Sequence, residues 1–315
     1  MQIISINLIK ILRINQYIKH LFVIPGVILA TLTKSDIQLN LIEILIAFIS
    51  IFLVSSANYV LNEMLDKEHD KFHPLKNKRV FVKQQYDVKT GYIIYIIFAV
   101  IGIFVSTKVN NFFTFFNTLF LISGLTYNLK PFRFKNIPII DIINESFNLP
   151  IRLLLGWAII AGGGGRENIY PPMSIIFFFW FSGAFLMSAK RLSEVIFFNN
   201  KSNLAKKYRP VYNFYTKDNL IFLSAFFALF SIFLITFFVV KYKIDYIILI
   251  PFVVLLFSYY FFCSLAKNEI VNRLENLYKN YFIIFIILVI FFGFVILTFI
   301  DLNIDFLKKN FIIKL

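Results

Sequence analysis

Residues 41–79 read LIEILIAFISIFLVSSANYVLNEMLDKEHDKFHPLKNKR. The stretch opens as an apolar run over 41–62, long enough to meet the roughly 20 residues that a bilayer crossing needs. It closes on polar groups at regular spacing. Asn62, Asp66 and Asp70 fall at i, i+4 and i+8, so a helix stacks them on one face with neighbouring Cβ atoms roughly 5–6 Å apart. Two carboxylates and an amide oxygen at that separation can share a hard divalent cation, magnesium above all, that carries substrate phosphates. The same spacing also suits a solvated helix end. His73, Pro74, Lys76, Lys78 and Arg79 follow at once. Pro74 is expected to end the helix, and an acidic metal site then borders a basic anion site.

Composition fixes the class. The chain is 59% hydrophobic and 19% aromatic, with 42 Phe and a mean hydropathy of +0.77, far above a water-soluble domain. An all-α integral membrane bundle is expected. Runs of bilayer length lie around 20–36, 41–62, 90–108, 111–128, 137–161, 171–190, 219–240, 244–265 and 280–300, which makes nine transmembrane helices in one domain over 1–315. The net charge of +15 then belongs to loops and interfaces, where it orients the chain and binds phosphate, with no nucleic acid involved. With nine spans, 23 Lys and Arg fall on the side of the N-terminus and of the loops after spans two, four, six and eight, against 8 on the other. That bias puts the N-terminus and the motif loops in the cytoplasm and the chain in the inner (cytoplasmic) membrane. Residues 1–12 carry no cleavable signal pattern and read as an amphipathic interfacial helix. The single cysteine, Cys263, sits in an apolar run as lipid-facing or core filler and excludes an internal disulfide.

The fifth span carries a polar stripe, Asp141, Glu145, Asn148 and Arg152. Charges at such depth are costly and usually mark function. A purely structural buried ion pair is the lesser alternative. Pro150 is expected to bend this helix. Span six ends in Ser188-Ala-Lys190-Arg191-Leu-Ser-Glu194, which is either a cationic membrane anchor or a phosphate site. His20, His69 and His73 read as hydrogen-bonded interface residues, and the oxygen-rich motif favours magnesium over zinc.

These residues together resemble a family. Asn62-Glu-Met-Leu-Asp66-Lys-Glu-His-Asp70 is similar to the first aspartate-rich motif of the UbiA-type membrane prenyltransferases. The tail His73-Pro-Leu-Lys76-Asn-Lys-Arg79 is similar to the decaprenyl-phosphate phosphoribosyltransferase branch. Glu63 stands where the family usually has Asp, and Val80 follows Arg79 where it has Pro. Tyr127-Asn-Leu-Lys130, then Asp141, Arg152 and Gly156, resemble further family positions. Lys190-Arg191-x-x-Glu194 and Arg209 with Tyr215-Thr216 resemble that branch, as does Arg13-Ile-Asn-Gln16-Tyr-Ile-Lys19-His20.

The resemblance implies a magnesium-dependent transferase moving 5-phosphoribose from phosphoribosyl diphosphate to a polyprenyl phosphate lipid. It implies that Asn62, Asp66 and Asp70 hold the metal and are catalytic. Substrate binding falls to Lys19, His73, Lys76, Arg79, Tyr127, Lys130, Asp141, Arg152, Lys190, Arg191 and Glu194; of these, Lys19, Lys130 and Arg152 are expected to position the lipid phosphate. The alternative is an aromatic prenyltransferase with a polyprenyl diphosphate donor, which would carry a second aspartate-rich segment after span six. That loop is cationic here. A transporter also fits many spans with buried charges, but the polar residues cluster towards one membrane face instead of forming a midplane pathway.

Overall fold

The computed structural model describes residues 11–33, 40–73, 76–83, 86–162, 170–198, 202–266, 280–300 and 302. Of the amphipathic helix expected over residues 1–12, all but the last two residues lie outside these, as do Pro74 and most of the glycine run over 162–165. Among the described residues every regular element is helical. A 3₁₀ stretch, Ile14–Val23, runs into α1 (Ile24–Thr33). Then come α2 (Leu41–Leu65), the single turn α3 (Lys67–Asp70), α4 (Val88–Ser106), α5 (Asn111–Asn128) and α6 (Ile140–Ala161). The chain continues through α7 (Met173–Phe197), α8 (Ser202–Tyr208), α9 (Lys217–Tyr242), α10 (Ile250–Leu265) and α11 (Tyr281–Phe299).

The caps show why the helices begin where they do. A helix start leaves backbone N–H groups unsatisfied, and a short side-chain acceptor one residue upstream takes them. Asn40 accepts from the amides of Ile42 and Glu43, Asp87 from Thr90, Asn110 from Phe113, and Asn280 from Phe282 and Ile283.

Each of the nine expected spans overlaps a described helix, the first only up to Thr33. Six helical stretches are long and apolar enough to cross a membrane: α2, α4, α7, α9, α10 with its 3₁₀ lead-in from Ile244, and α11. The three that fall short have reasons. The first is brief, and α5 and α6 carry the polar residues that build the site described below.

The chain forms two compact units, residues 1–171 with 197–216, and residues 172–196 with 217–315. In the first, α2 packs on α4 and α5, and α6 on α1 and α5. Without a hydrophobic drive between helices in lipid, small residues and interhelical hydrogen bonds hold such seams. Ser50 on α2 donates to the Gly102 carbonyl on α4 at 2.7 Å and accepts from Asn117 on α5 at 2.7 Å. Between α1 and α6 two glycines let backbones touch. A Cβ on Gly26 would lie 2.0 Å from the Leu153 carbonyl oxygen, and one on Gly156 would lie 1.9 Å from that of Val23. α6 continues through Pro150 as helix.

In the second unit, Ser182 on α7 and Ser231 on α9 share a buried hydrogen bond of 2.6 Å, and Phe185 stacks on Phe257 of α10 at 4.7 Å. Cys263 is buried there as core.

Candidate active site

The site of the first unit starts at the end of α2. Asp66 N–H donates to the Asn62 carbonyl at 3.0 Å, and Asp70 N–H to the Asp66 carbonyl at 2.8 Å. The helix breaks at Asp66, whose backbone leaves the helical region at φ −96°, ψ 0°, and these two i→i−4 bonds carry the chain across the break into the turn α3. The chain after Asp70 then folds back. His73 N–H reaches the Asp70 carbonyl at 3.1 Å and Arg79 N–H the Lys76 carbonyl at 3.0 Å, and the Arg79 guanidinium closes on the Asp70 carboxylate. Glu63 pins this return. It accepts the Val80 amide at 3.0 Å on one oxygen and Arg13 Nη2 at 3.0 Å on the other. Val80 and Phe81 then bury against Ile11, Val60, Leu61 and Met64. The departure from the family's Asp at position 63 thus serves the fold of the loop: the extra methylene reaches Val80 and Arg13.

The chain between α5 and α6 supplies the opposing charges. Lys135, 3% exposed, donates to Asp66 and, at 2.9 Å, to Asn128 Oδ1. Arg133 stands 3.7 Å from the same Asp66 oxygen. Lys130, on the same loop, is exposed. Burial pushes the Lys135 ammonium down to about 8. Burial also works against a charged Asp66, yet the ammonium beside it, with Arg209 and Arg79 farther off, holds that carboxyl below its usual range. Asp70 goes the other way: burial, with the like charge of Asp66 adding to it, pushes it up in spite of Arg79 and Lys76.

The segment around α8 closes the ring. His69 Nδ1 lies 3.0 Å from the Lys207 carbonyl. His73 is buried edge-on to Tyr208, centroids 4.6 Å apart, and the Lys76 ammonium bonds the Tyr208 hydroxyl. Arg209 bridges Asp141, at 3.6 Å, and the Tyr127 hydroxyl, at 3.2 Å; Tyr127 in turn donates to Glu145 at 2.9 Å. Tyr215 donates to Asp141 and accepts the Ile139 amide at 2.7 Å. A small recess remains between Asp66, His69, Lys135, Asn136, Tyr208, Arg209 and Pro210.

Of the residues read from sequence, the structure gathers Asn62, Asp66, Asp70, His73, Lys76, Arg79, Tyr127 and Asp141 around this cluster. Lys19 bonds Gln16 at 3.0 Å and lies over the Tyr59 ring at 5.9 Å. Arg152 lies deeper on α6, donating to the Asn148 carbonyl at 3.0 Å. The carboxylates of the polar stripe of α6 take their partners from other elements: Asp141 is in an ion pair with Arg209 and accepts from Tyr215, and Glu145 accepts from Tyr127 on α5. Lys190, Arg191 and Glu194 belong to α7 in the second unit, where the fully buried Arg191 pairs with Glu194 at 3.2 Å. Sequence reading passed over Lys135, Arg133 and Tyr208.

The donor set suits magnesium. The Asn62 side-chain oxygen is buried without a hydrogen-bond partner, on the face that carries Asp66 and Asp70, and all three offer hard oxygens. Among the described residues no group of three or more His, Cys, Asp or Glu side chains could hold a metal by itself. A cation here needs substrate oxygens to complete its shell.

The model of the UbiA prenyltransferase family matches residues 21–278. A decaprenyl-phosphate phosphoribosyltransferase of Corynebacterium glutamicum is 26% identical over 213 residues, 65% of this chain. The uncharacterized protein y4nM of Sinorhizobium fredii is 23% identical over 145 residues, 46% of this chain. The chain spans 61% and 27% of the lengths of these two relatives. A solved UbiA homolog from Archaeoglobus fulgidus, described as bound to GPP and Mg2+, superposes with a TM-score of 0.69 at 18% identity, covering 93% of this chain and 99% of that one.

Proposed function

This chain belongs to the UbiA prenyltransferase family of multi-pass membrane transferases, and on that premise we propose that it moves 5-phosphoribose from phosphoribosyl diphosphate to a polyprenyl phosphate. The observation that carries the reading is the excess of cations at the site. Lys76, Arg79, Arg133, Lys135 and Arg209 surround Asp66, Asp70 and Asp141. Among the described residues these five positive groups outnumber the carboxylates beside them even with Glu145, held through Tyr127, counted in, and that suits a donor with a diphosphate and a second phosphate better than a prenyl donor, whose remainder is hydrocarbon. The 26% likeness to a decaprenyl-phosphate phosphoribosyltransferase supports the same choice.

In the reaction, an oxygen of the lipid phosphate forms a bond to C1 of the ribose as the bond from C1 to the diphosphate breaks, and inorganic diphosphate leaves. The attacking oxygen is an anion at neutral pH, so no strong general base is needed. Asn62, Asp66 and Asp70 would hold magnesium, which when bound neutralises charge on the leaving diphosphate. Lys76 and Arg79 serve the diphosphate from preorganised positions. On the sequence alone, Lys190 and Arg191 are assigned to the sugar phosphate, with Glu194 fixing Arg191. The motif loops face the cytoplasm of the inner membrane in this reading, where a soluble nucleotide-like donor is at hand.

A membrane assay tests the reading. Phosphoribosyl diphosphate with a polyprenyl phosphate is expected to give a phosphoribosyl lipid and diphosphate. Polyprenyl diphosphate with 4-hydroxybenzoate is expected to give nothing. The reverse pattern would assign an aromatic prenyltransferase.

A further inference from the structure

We propose that Tyr208 is a positioning residue for the diphosphate: its hydroxyl, at the recess beside Asp66, holds the Lys76 ammonium in place without offsetting its charge. That a diphosphate binds here rests on the function proposed above; whether that diphosphate carries ribose or a prenyl chain does not enter.

Tyr208 ends α8 and is 5% exposed. It shares the lining of the recess with Asp66, Lys135 and Arg209. The Lys76 ammonium donates to its hydroxyl and lies 4.6 Å from its ring centroid. This choice of partner separates Lys76 from other cations of the site. Arg79 stands against Asp70, Lys135 against Asp66 and Arg209 against Asp141, so an incoming diphosphate must compete with a carboxylate for each of them. A phenol accepts a hydrogen bond but brings no opposing charge, and it therefore aims an ammonium without offsetting it. Asp70 feels the charge of Lys76, yet its carboxylate is closed by Arg79.

The phenol can aim because it is itself fixed. His69 Nδ1 lies 3.0 Å from the carbonyl of Lys207, one residue before it, and Arg209, one residue after it, is tied to Asp141 and to the Tyr127 hydroxyl. Its ring packs edge-on against His73 at 4.6 Å and alongside Phe198 at 6.2 Å. Lys76 is the opposite case, a strongly hydrated point charge on a four-carbon stem that loses rotamer freedom whenever it is held. A bond to a fixed hydroxyl takes that loss before the diphosphate arrives, and charge preorganised in this way is what stabilises a leaving anion.

A plain clasp between the loop after α3 and the segment around α8 would use the same contacts. Such a clasp would act on the diphosphate whether or not Lys76 is present, whereas a positioning residue acts only through the group it positions. The two roles part on that dependence.

Equilibrium binding of inorganic diphosphate to the full chain in detergent, in the presence of magnesium, tests this in a double-mutant cycle. Tyr208→Phe keeps the ring contacts and is expected to weaken binding about tenfold while the chain stays folded, in the range of a hydrogen bond to a charged group. Lys76→Met is expected to weaken binding by at least as much, and Tyr208→Phe to have no further effect once Lys76 is gone. Diphosphate binding equal to wild type in Tyr208→Phe would overturn the role. An equal loss with and without Lys76 would overturn it too, in favour of a clasp. If Tyr208→Phe does not fold, Tyr208→His keeps a ring and is read in the same cycle, with the same two outcomes against the proposal. Inorganic diphosphate carries neither ribose nor a prenyl chain, so a cycle coupled through Lys76 in a chain that ignores phosphoribosyl diphosphate would support Tyr208 and refute the donor. Undiminished use of phosphoribosyl diphosphate by Tyr208→Phe would refute Tyr208 and leave the donor standing.

Discussion

Lys135 and Asp66 are bound to one another across 69 residues of chain, so the acid that the first motif offers to a metal already holds an internal cation. Asp70 is in the same state through Arg79. The site as it stands carries more positive than negative charge, and a bare divalent ion is repelled from it, whereas an ion that arrives on a diphosphate brings its own compensating charge.

Metal binding should accordingly depend on the diphosphate. Followed by the electron paramagnetic resonance of Mn2+, the free ion should bind the chain weakly, and inorganic diphosphate should tighten it. Lys135→Met should strengthen binding of the bare ion on the order of tenfold, about the worth of one charge-assisted contact. Tight wild-type binding of Mn2+ without diphosphate would refute this order.

Asp66→Asn and Asp70→Asn should each abolish turnover while the chain stays folded, because each removes charge from the metal face without changing side-chain volume. Chelation with EDTA should silence the wild type in the same assay. Undiminished turnover in EDTA would remove the metal from the mechanism.

Glu63→Gln should act on the fold instead. It leaves Arg13 buried without its carboxylate and weakens the hold on the Val80 amide, and breaking a buried pair in this way costs about 3–5 kcal/mol. Thermal unfolding in detergent reads this loss, and the residual activity of molecules still folded should remain high. A variant as stable as wild type but inactive would move Glu63 into the metal site.

Lys190→Ala separates the two enzyme classes more cleanly than Arg191→Ala, since Arg191 is fully buried against Glu194 and its loss would also cost stability. If Lys190 reads a sugar phosphate, its removal should raise the KM for phosphoribosyl diphosphate about tenfold, and ribose 5-phosphate should compete in wild type. A prenyl diphosphate competing instead, with ribose 5-phosphate inert, would return Lys190 to the role of a membrane anchor.

The placement of the first motif was legible in the sequence because it is local: Asn62, Asp66 and Asp70 lie within nine residues, at the end of α2 and in the turn that follows it. Lys135 and Arg133 were not, since a cation between two spans counts first towards topology, and nothing in Lys130-Pro-Phe-Arg133-Phe-Lys135 says which one turns inward. The structure turns Lys135 in and leaves Lys130 exposed. Tyr208 was hidden for the same reason, its partners Lys76 and His73 being far away in the chain. The less apolar helices α5 and α6 were recognisable by length, and their polar residues, which lower the hydropathy, are the ones that line the site.

The glycine contacts between α1 and α6 bear on how the enzyme meets its bilayer. Backbone rests on backbone at Gly26 and Gly156, so at these two points no compressible side chain lies between the helix that follows His20 and the helix that carries Arg152. A membrane thinner or thicker than the native one must then tilt the two as one piece, because sliding one along the other is blocked by carbonyl oxygens. Hydrophobic mismatch is thereby absorbed at the rim of the protein, in helix tilt and lipid deformation, while the spacing between these two groups stays independent of acyl-chain length.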